Sequence, residues 1–490
     1  MTKKAKQIGF NVFDKNCVSH QSAGLWRYPG DQSLKYKDID YWQNLAKVAE
    51  EGLFDSLFIA DALGVHDAYG GNDMGALRTA MQVPVNDPLH IATIGAAVTK
   101  HISFGITAGV FFEHPFAFAR RLSTVDHLTK GRFAWNIVTG YMQSANLNMG
   151  IPVLPHDERY DYADEYLEVI YKLLEGSWED DAVILDRATG QFADPSKVHH
   201  IGHHGKHFNV PGAHLCEPSI QRTPVLFQAG SSPRGRRFAS THAEGIFISP
   251  RSKDWARTLV KQFRDELVNQ GREPDSAKVY ALATIITDET QELAEAKYKD
   301  YLKYINLEGT LVSNSAWLGV DLSKLDLDAP LNDIKERINV MGARSTAIAF
   351  AKSTTDDGRV WTVRDALESS RIGGGGPKFI GDAKHVADAL QEFVEYTDVD
   401  GFNLSYAVTP GTFEDVVRYV VPELQKRGLY KLEYTEGSLR NKLFGKGDRL
   451  PDNHIGSKYR VGGSRSTIDD FNETTGRVPE NSGKSYNAAL

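Results

Sequence analysis

Cysteine is nearly absent: the 490 residues contain two, Cys17 and Cys216. That excludes a disulfide framework and points to a reducing compartment. No long basic run occurs and the net charge is −8, so the chain lacks a nucleic-acid footprint. No apolar stretch approaches the roughly 20 residues a helix needs to cross a bilayer. The opening MTKKAKQIGFNVF is basic but carries only a short apolar segment and no small-residue cleavage pattern. It is expected to lead into a first strand, and the protein is expected in the cytoplasm. The dinucleotide fingerprint G-x-G-x-x-G is missing after that strand. The run Gly373-Gly374-Gly375-Gly376 lacks the Gly-Lys-Ser/Thr ending of a phosphate loop, and a flexible hinge is expected there. Repeats at solenoid periods are also missing.

What remains is ordinary globular composition, 41% hydrophobic and 24% charged, arranged in a steady alternation. Short apolar runs at 8–13, 54–60, 102–110, 133–138, 224–229, 245–248, 278–287 and 401–405 fit buried parallel strands. Helical periodicity follows nearly every one, at 41–51, 88–100, 115–128, 156–175, 234–242, 254–270, 291–304 and 413–427. Parallel strands require crossovers, and eight such units close a barrel. The fold expected is α/β, a single (β/α)8 TIM barrel over 1–430 with insertions. One insertion, polar and histidine-rich, is expected as a hairpin at 178–212; a second, irregular and lid-like, spans 306–376. Residues 431–490 form a C-terminal extension, expected to be mobile after Tyr459.

Several constellations lie at strand ends and helix starts, where chemistry collects in α/β folds. The strand at 133–138 runs into Thr139-Gly140-Tyr141, and after a loop His156-Asp157-Glu158-Arg159-Tyr160 opens a strongly periodic helix. Gln228-Ala229-Gly230-Ser231-Ser232-Pro233-Arg234-Gly235 ends a strand and starts a helix. Its small residues leave backbone N–H groups open at a helix N-terminus, which favours an anion such as phosphate; a tight turn with a serine cap is the alternative. Asp61 and Thr107 are single polar residues on apolar strands. Cys17-Val18-Ser19-His20 could pair a thiol with an imidazole, although a packed pocket cysteine is the commoner use. The run His199 to His207 matches no familiar zinc spacing and is better read as a hairpin with alternating faces; no metal site is expected.

Long strings of this chain resemble a known family. FDSLFIAD, PVNDP, RRLSTVDHLTKGRFAWNIVT, HDERYDYADEYLEV, QAGSSPRGRRFA and DGFNLSYAVTPGTFEDVVRYVVPELQKRG carry the likeness. It is to the nitrilotriacetate/dibenzothiophene-sulfone monooxygenases of the bacterial-luciferase-like flavin barrels, and among them to the long-chain alkane and dimethyl-sulfide enzymes. The likeness extends over about residues 6–460. It implies a barrel that takes reduced FMN from a separate NAD(P)H:flavin reductase and assembles as a homodimer or homotetramer. With O2 it would insert one oxygen atom into a small apolar or organosulfur substrate, a long-chain alkane type favoured. By motif position, Asp61, Thr107, His156, Tyr160, Ser231 and Ser232 would contact FMN, with Ser231 at the phosphate. Cys17, His20 and Gln82 match the family's substrate pocket. His66, Tyr141 and Ser313 stand where the alkane enzymes carry a tyrosine and histidines, so the lining differs. An aminopolycarboxylate substrate, a metal-dependent hydrolase or lyase built on Asp61, His156 and His20, and a non-catalytic flavin-binding barrel are the alternatives.

Overall fold

The computed structural model describes residues 6–140, 142–331 and 358–460. Its centre is a closed ring of eight parallel strands. These are β1 (Gly9–Lys15), β2 (Ser56–Ala60), β3 (Ser103–Gly109), β4 (Phe133–Val138), β5 (Val225–Gln228), β6 (Gly245–Ile248), β7 (Lys278–Thr287) and β9 (Gly401–Ser405). Pairing of β1 with β9 and of β6 with β7 closes the ring. All eight were legible as apolar runs.

A further strand, β8 (Lys378–Gly381), was not anticipated. β7 is long enough, at 10 residues, to pair in succession along one edge. Lys278 to Ala281 pair with β6, and Thr284 to Thr287 pair with β8. β8 thus extends the wall beyond the end of β6. Its four residues, KFIG, carry too little pattern to announce a strand.

Strand alternation divides the core into two shells. Outward residues such as Phe10, Val12, Leu57, Ile59, Phe104 and Ile106 pack under the helices. Phe13, Phe58, Phe227, Phe247 and Tyr280 point inward and fill the barrel. Burying each such ring contributes about 1.5–3 kcal/mol. The aromatic interior also explains a glycine in mid-strand. A Cβ on Gly105 would stand 2.9 Å from Cε2 of Phe227, where the ring already fills the space.

Two expectations about the inserted segments need correction. The region 306–376 is not wholly irregular: it contains helices Leu307–Leu318 and Val363–Ser370, which bury their own small core with Leu318, Val320, Leu331 and Leu367. Residues 332–357 of the expected lid lie outside the described residues. The glycine run is not a loose hinge. A Cβ on Gly373 would overlap Thr284, one on Gly374 would overlap Gln21, one on Gly375 would overlap Arg251, and one on Gly376 would overlap the Leu282 carbonyl. Gly373 N–H donates to Ser22 Oγ at 2.9 Å and Gly374 N–H to the Gln21 carbonyl at 3.2 Å. Glycine is required at Gly373 and Gly374 by positive φ and at Gly376 by the Leu282 carbonyl of β7, while Gly375 lies against the Arg251 guanidinium beyond the end of β6.

The region 178–212 holds two small antiparallel pairs, Val183–Asp186 with Gln191–Ala193 and His203–His204 with Asn209–Val210. Its histidines take separate partners: His199 Nε2 lies 2.7 Å from Glu179, and His203 lies 3.3 Å from Glu165 and 3.1 Å from Lys172. The extension up to residue 460 is built into the bottom of the barrel. Arg440 is fully enclosed and donates to both oxygens of Glu244, at 2.6 and 2.8 Å. Of the segment expected to be mobile after Tyr459, Arg460 is held by the Leu450 carbonyl and Asp452, and residues 461–490 lie outside the described residues. No helix among the described residues is long and apolar enough to cross a membrane.

Candidate functional site

The C-terminal ends of the strands open into a cavity of about 350 Å³. Its wall is made where strands stop: Asp61 follows β2, Ile137 to Gly140 end β4, Gln228 to Ser232 leave β5, and Phe247 to Ser249 leave β6. Buried strands bring backbone to one level, and their departing loops supply the side chains.

One end of the cavity is rich in donors. The turn Gly230-Ser231-Ser232 leads into the helix Pro233–His242. Ser232 caps that helix, its Oγ accepting from Gly235 N–H at 3.0 Å. The remaining N-terminal amides and the helix dipole favour negative charge in front of them. Tyr160 and His156 approach from the helix His156–Gly176. His156 Nε2 is 3.3 Å from Ser232 Oγ, and its Nδ1 is 2.5 Å from Asp157. The Tyr160 hydroxyl reaches under the turn, and burial raises its pKa, so it remains a neutral donor. Arg159 adds a guanidinium. It donates to the Gly140 carbonyl, and its Nε is a buried atom without a partner. Burial pulls the Arg159 pKa down, yet a guanidinium stays charged at any physiological pH. The other end is broad and apolar, walled by Phe112, Met142, Phe247, Trp255 and Trp317.

Asp61 stands between this cavity and a second buried group. Burial raises its pKa to about 6, against the opposing charge of Lys15. Lys15 ends β1, faces inward and is 2% exposed. Its Nζ donates to Gln82 Oε1 at 2.9 Å, and Gln82 Nε2 donates to the His20 carbonyl at 2.9 Å. His20 packs edge-on to Phe13, with 4.4 Å between ring centres. Burial, with Lys15 nearby, pushes the imidazoles of His20 and His66 down to about 3, so both are neutral. The Cys17 thiol is pushed up to about 12 by burial and lies 3.5 Å from the Ser19 carbonyl, which makes it a packed thiol and not a nucleophile.

The expected residues therefore divide. Asp61, His156, Tyr160, Ser231 and Ser232 share the cavity wall. Cys17, His20, His66 and Gln82 gather around Lys15 beside it. Thr107 is in neither group. It is 3% exposed inside the barrel and accepts from Asn136 Nδ2 at 2.9 Å, below the level of the cavity wall. Ser313 donates to the Thr310 carbonyl of its own helix at 3.0 Å, while Trp317, one turn on, reaches the cavity. Tyr141 lies outside the described residues. Sequence reasoning missed Lys15, Arg159, Phe112, Trp255 and Trp317. Arg159 at least was visible, one position before Tyr160 at the start of a helix aimed at the cavity.

The residues present fit FMN. Hydroxyl, amide and guanidinium donors converge at one end, as a phosphate requires, and the aromatic body suits a flat ring system.

Comparison with known proteins agrees with this geometry. Residues 12–400 match the model of the luciferase-like monooxygenase family. The chain is 51% identical to the dimethyl-sulfide monooxygenase of Hyphomicrobium sulfonivorans over 93% of this chain and 94% of that one. The crystal structure of the Hyphomicrobium protein DmoA superposes with a TM-score of 0.87, at 50% identity over 95% of this chain and 98% of the other. Identity to the long-chain alkane monooxygenase of Geobacillus thermodenitrificans is 47%, over 94% and 99% of the two chains. A riboflavin lyase crystallised with modified FMN and riboflavin superposes with a TM-score of 0.86, at 34% identity over 93% and 100% of the two chains. A barrel whose strand ends hold such a cavity, together with these matches across nearly the whole chain, gives one conclusion: this protein belongs to the bacterial luciferase-like monooxygenase family.

Proposed function

We propose that this protein is a monooxygenase that uses reduced FMN, delivered by a separate NAD(P)H:flavin reductase, and O2 to place one oxygen atom in a small apolar or organosulfur substrate. The observation that carries the reading is the cavity itself. A donor-rich turn at a helix N-terminus is joined to a chamber lined by aromatic side chains at the open end of a barrel. Bound reduced FMN would supply the activation of oxygen. The chain's own residues have other tasks. Ser231, the helix N-terminus, Arg159 and Tyr160 hold the phosphate; His156 braces Ser232; Phe112, Phe247, Trp255 and Trp317 exclude water, which would otherwise divert reduced flavin and oxygen to hydrogen peroxide. Trp317 comes from the 306–376 insertion, so that segment's part is to wall the chamber.

Thioethers are favoured over the long-chain alkane expected from sequence. The chain is slightly more similar to the dimethyl-sulfide enzyme than to the alkane enzyme. The polar group around Lys15 is also a poor neighbour for hydrocarbon. The test supplies reduced FMN under anaerobic conditions, admits oxygen, and screens thioethers, sulfones, alkanes and amines. Oxygenated product is expected only when protein, reduced FMN and oxygen are all present. Product formed without flavin, or lost on chelation, would favour a metal enzyme instead.

A further inference from the structure

We infer that Lys15 reads the substrate's head group: its enclosed ammonium, flanked by His20 and His66, receives an oxyanion carried on an otherwise apolar or thioether molecule. This rests on the monooxygenase reading and narrows its substrate to amphiphilic anions, a carboxylate being the simplest.

The placement is built from the backbone upward. Lys15 pairs in register with Ala60, the residue before Asp61, so its side chain starts at the inner rim of the cavity. Alternation along β1 puts it on the same face as Asn11 and Phe13, inside the barrel. Lys15 is 2% exposed, and burial lowers its pKa against the opposing charge of Asp61, so a bound oxyanion would favour the charged amine. Its position is fixed from the far side by Gln82. That residue is held by its own N–H donating to the Ser19 carbonyl at 3.0 Å and its Nε2 donating to the His20 carbonyl at 2.9 Å. Gln82 Oε1 takes one ammonium hydrogen and leaves two.

The surroundings are short of acceptors. No carboxylate is ion-paired with Lys15 among the described residues, and the nearby Cys17 thiol is neutral. Both ring nitrogens of His66 are buried without partners, whereas His20 Nε2 accepts from Gln21 Nε2 at 3.3 Å and the His20 ring is hydrogen-bonded to the Phe13 backbone. A neutral imidazole carries one N–H, so His66, in electrostatic reach of Lys15, offers a further donor. Buried donors of this kind are seldom left unmet, and an oxyanion satisfies several at once. A hydrocarbon would leave them all unmet.

Asp61 gives the arrangement a direction. It lines the adjoining cavity and is in electrostatic reach of Lys15. A substrate anion is drawn to Lys15 and repelled by Asp61, so its head lodges in the Lys15 group and its body extends into the apolar chamber. Asp14, on the outward face of β1, does not compete, since Tyr41 and the Lys15 backbone N–H donate to it.

The experiment uses two probes of nearly equal shape, methylthioacetate and ethyl methyl sulfide. Each is titrated calorimetrically into the full-length protein, and kcat/KM is measured for each with reduced FMN. The wild type should prefer the acid by about tenfold or more in both binding and kcat/KM. Lys15→Met should lower the acid-to-neutral ratio by about tenfold, and Lys15→Arg, which keeps the charge, should retain a preference for the acid. A wild type that binds both probes equally overturns the inference without any variant. So does a Lys15→Met protein, folded by thermal melt, with an unchanged ratio. Selective binding of the acid with no oxygenated product would uphold the Lys15 site and count against the monooxygenase reading.

Discussion

A Cβ on Gly230 would stand 2.9 Å from the hydroxyl oxygen of Tyr160, and one on Gly235 would stand 2.8 Å from the same atom. The tyrosine hydroxyl thus lies under the turn, between the two glycines that frame the helix N-terminus.

Gly230→Ala should therefore displace the Gln228 amide, which the added methyl would overlap, together with the Tyr160 hydroxyl, and weaken FMN binding about tenfold while the barrel stays folded, because both side chains belong to the cavity wall. Fluorescence titration with FMN measures this. Ser231→Asp should weaken binding further, since it sets a carboxylate against a phosphate. Unchanged affinity in that variant would remove Ser231 from the phosphate site.

His156 braces Ser232 from 3.3 Å and stands at the cavity mouth. His156→Ala should loosen that end and admit water. The share of consumed oxygen released as hydrogen peroxide is expected to rise severalfold, with product falling in step. Peroxide and product assayed together check it. Wild-type values for both would show that His156 has no part in coupling.

Arg440 and Glu244 form an enclosed ion pair that ties the C-terminal extension to the barrel floor. Removing one partner leaves the other charge buried and alone, so Arg440→Leu should cost about 3–5 kcal/mol in chemical denaturation. Arg440→Leu combined with Glu244→Leu should recover part of that loss. If Arg440→Leu melts like the wild type, the extension is not integral to the fold.

Asp14 carries a pH signature. Burial raises its pKa from 3.8 to about 7. A carboxyl whose folded pKa lies above its unfolded value favours the folded state when protonated. Its contribution is lost as pH rises from the unfolded pKa toward the folded one and is constant above that. The wild type should lose stability relative to Asp14→Asn between about pH 4 and pH 7, by up to roughly 4 kcal/mol. Parallel melting curves for the two proteins across that window would contradict the assignment.

The barrel was legible because each of its eight strands is an apolar run too short for a helix and is followed by helical periodicity. β8 was not, because four residues ending in glycine carry no period, and its pairing depends on the length of β7. The glycine run was visible but misread: four glycines look flexible in sequence, and only the packed neighbours show why nothing larger fits. Asp61, His156, Tyr160, Ser231 and Ser232 were legible from their places at strand ends and helix starts. Thr107 was not separable from them, since depth within a barrel is invisible in a strand's pattern. Lys15 escaped because a lysine at the end of FNVFDK resembles an ordinary exposed strand terminus. Its burial depends on Gln82, which is distant in the chain. Trp317 escaped because its helix is buried on several sides and so shows no clean apolar stripe.

On the proposed function, the cavity at the strand ends directs one atom of dioxygen into a substrate with the help of FMN. Single-turnover reaction of the FMN-loaded protein, reduced anaerobically and exposed to isotopically labelled dioxygen with a thioether present, tests it most directly by mass spectrometry. One labelled oxygen atom in the product, in yield matching the reduced flavin consumed, is the expected result. Product oxygen drawn from unlabelled water, or full conversion of dioxygen to hydrogen peroxide with the thioether untouched, would contradict it.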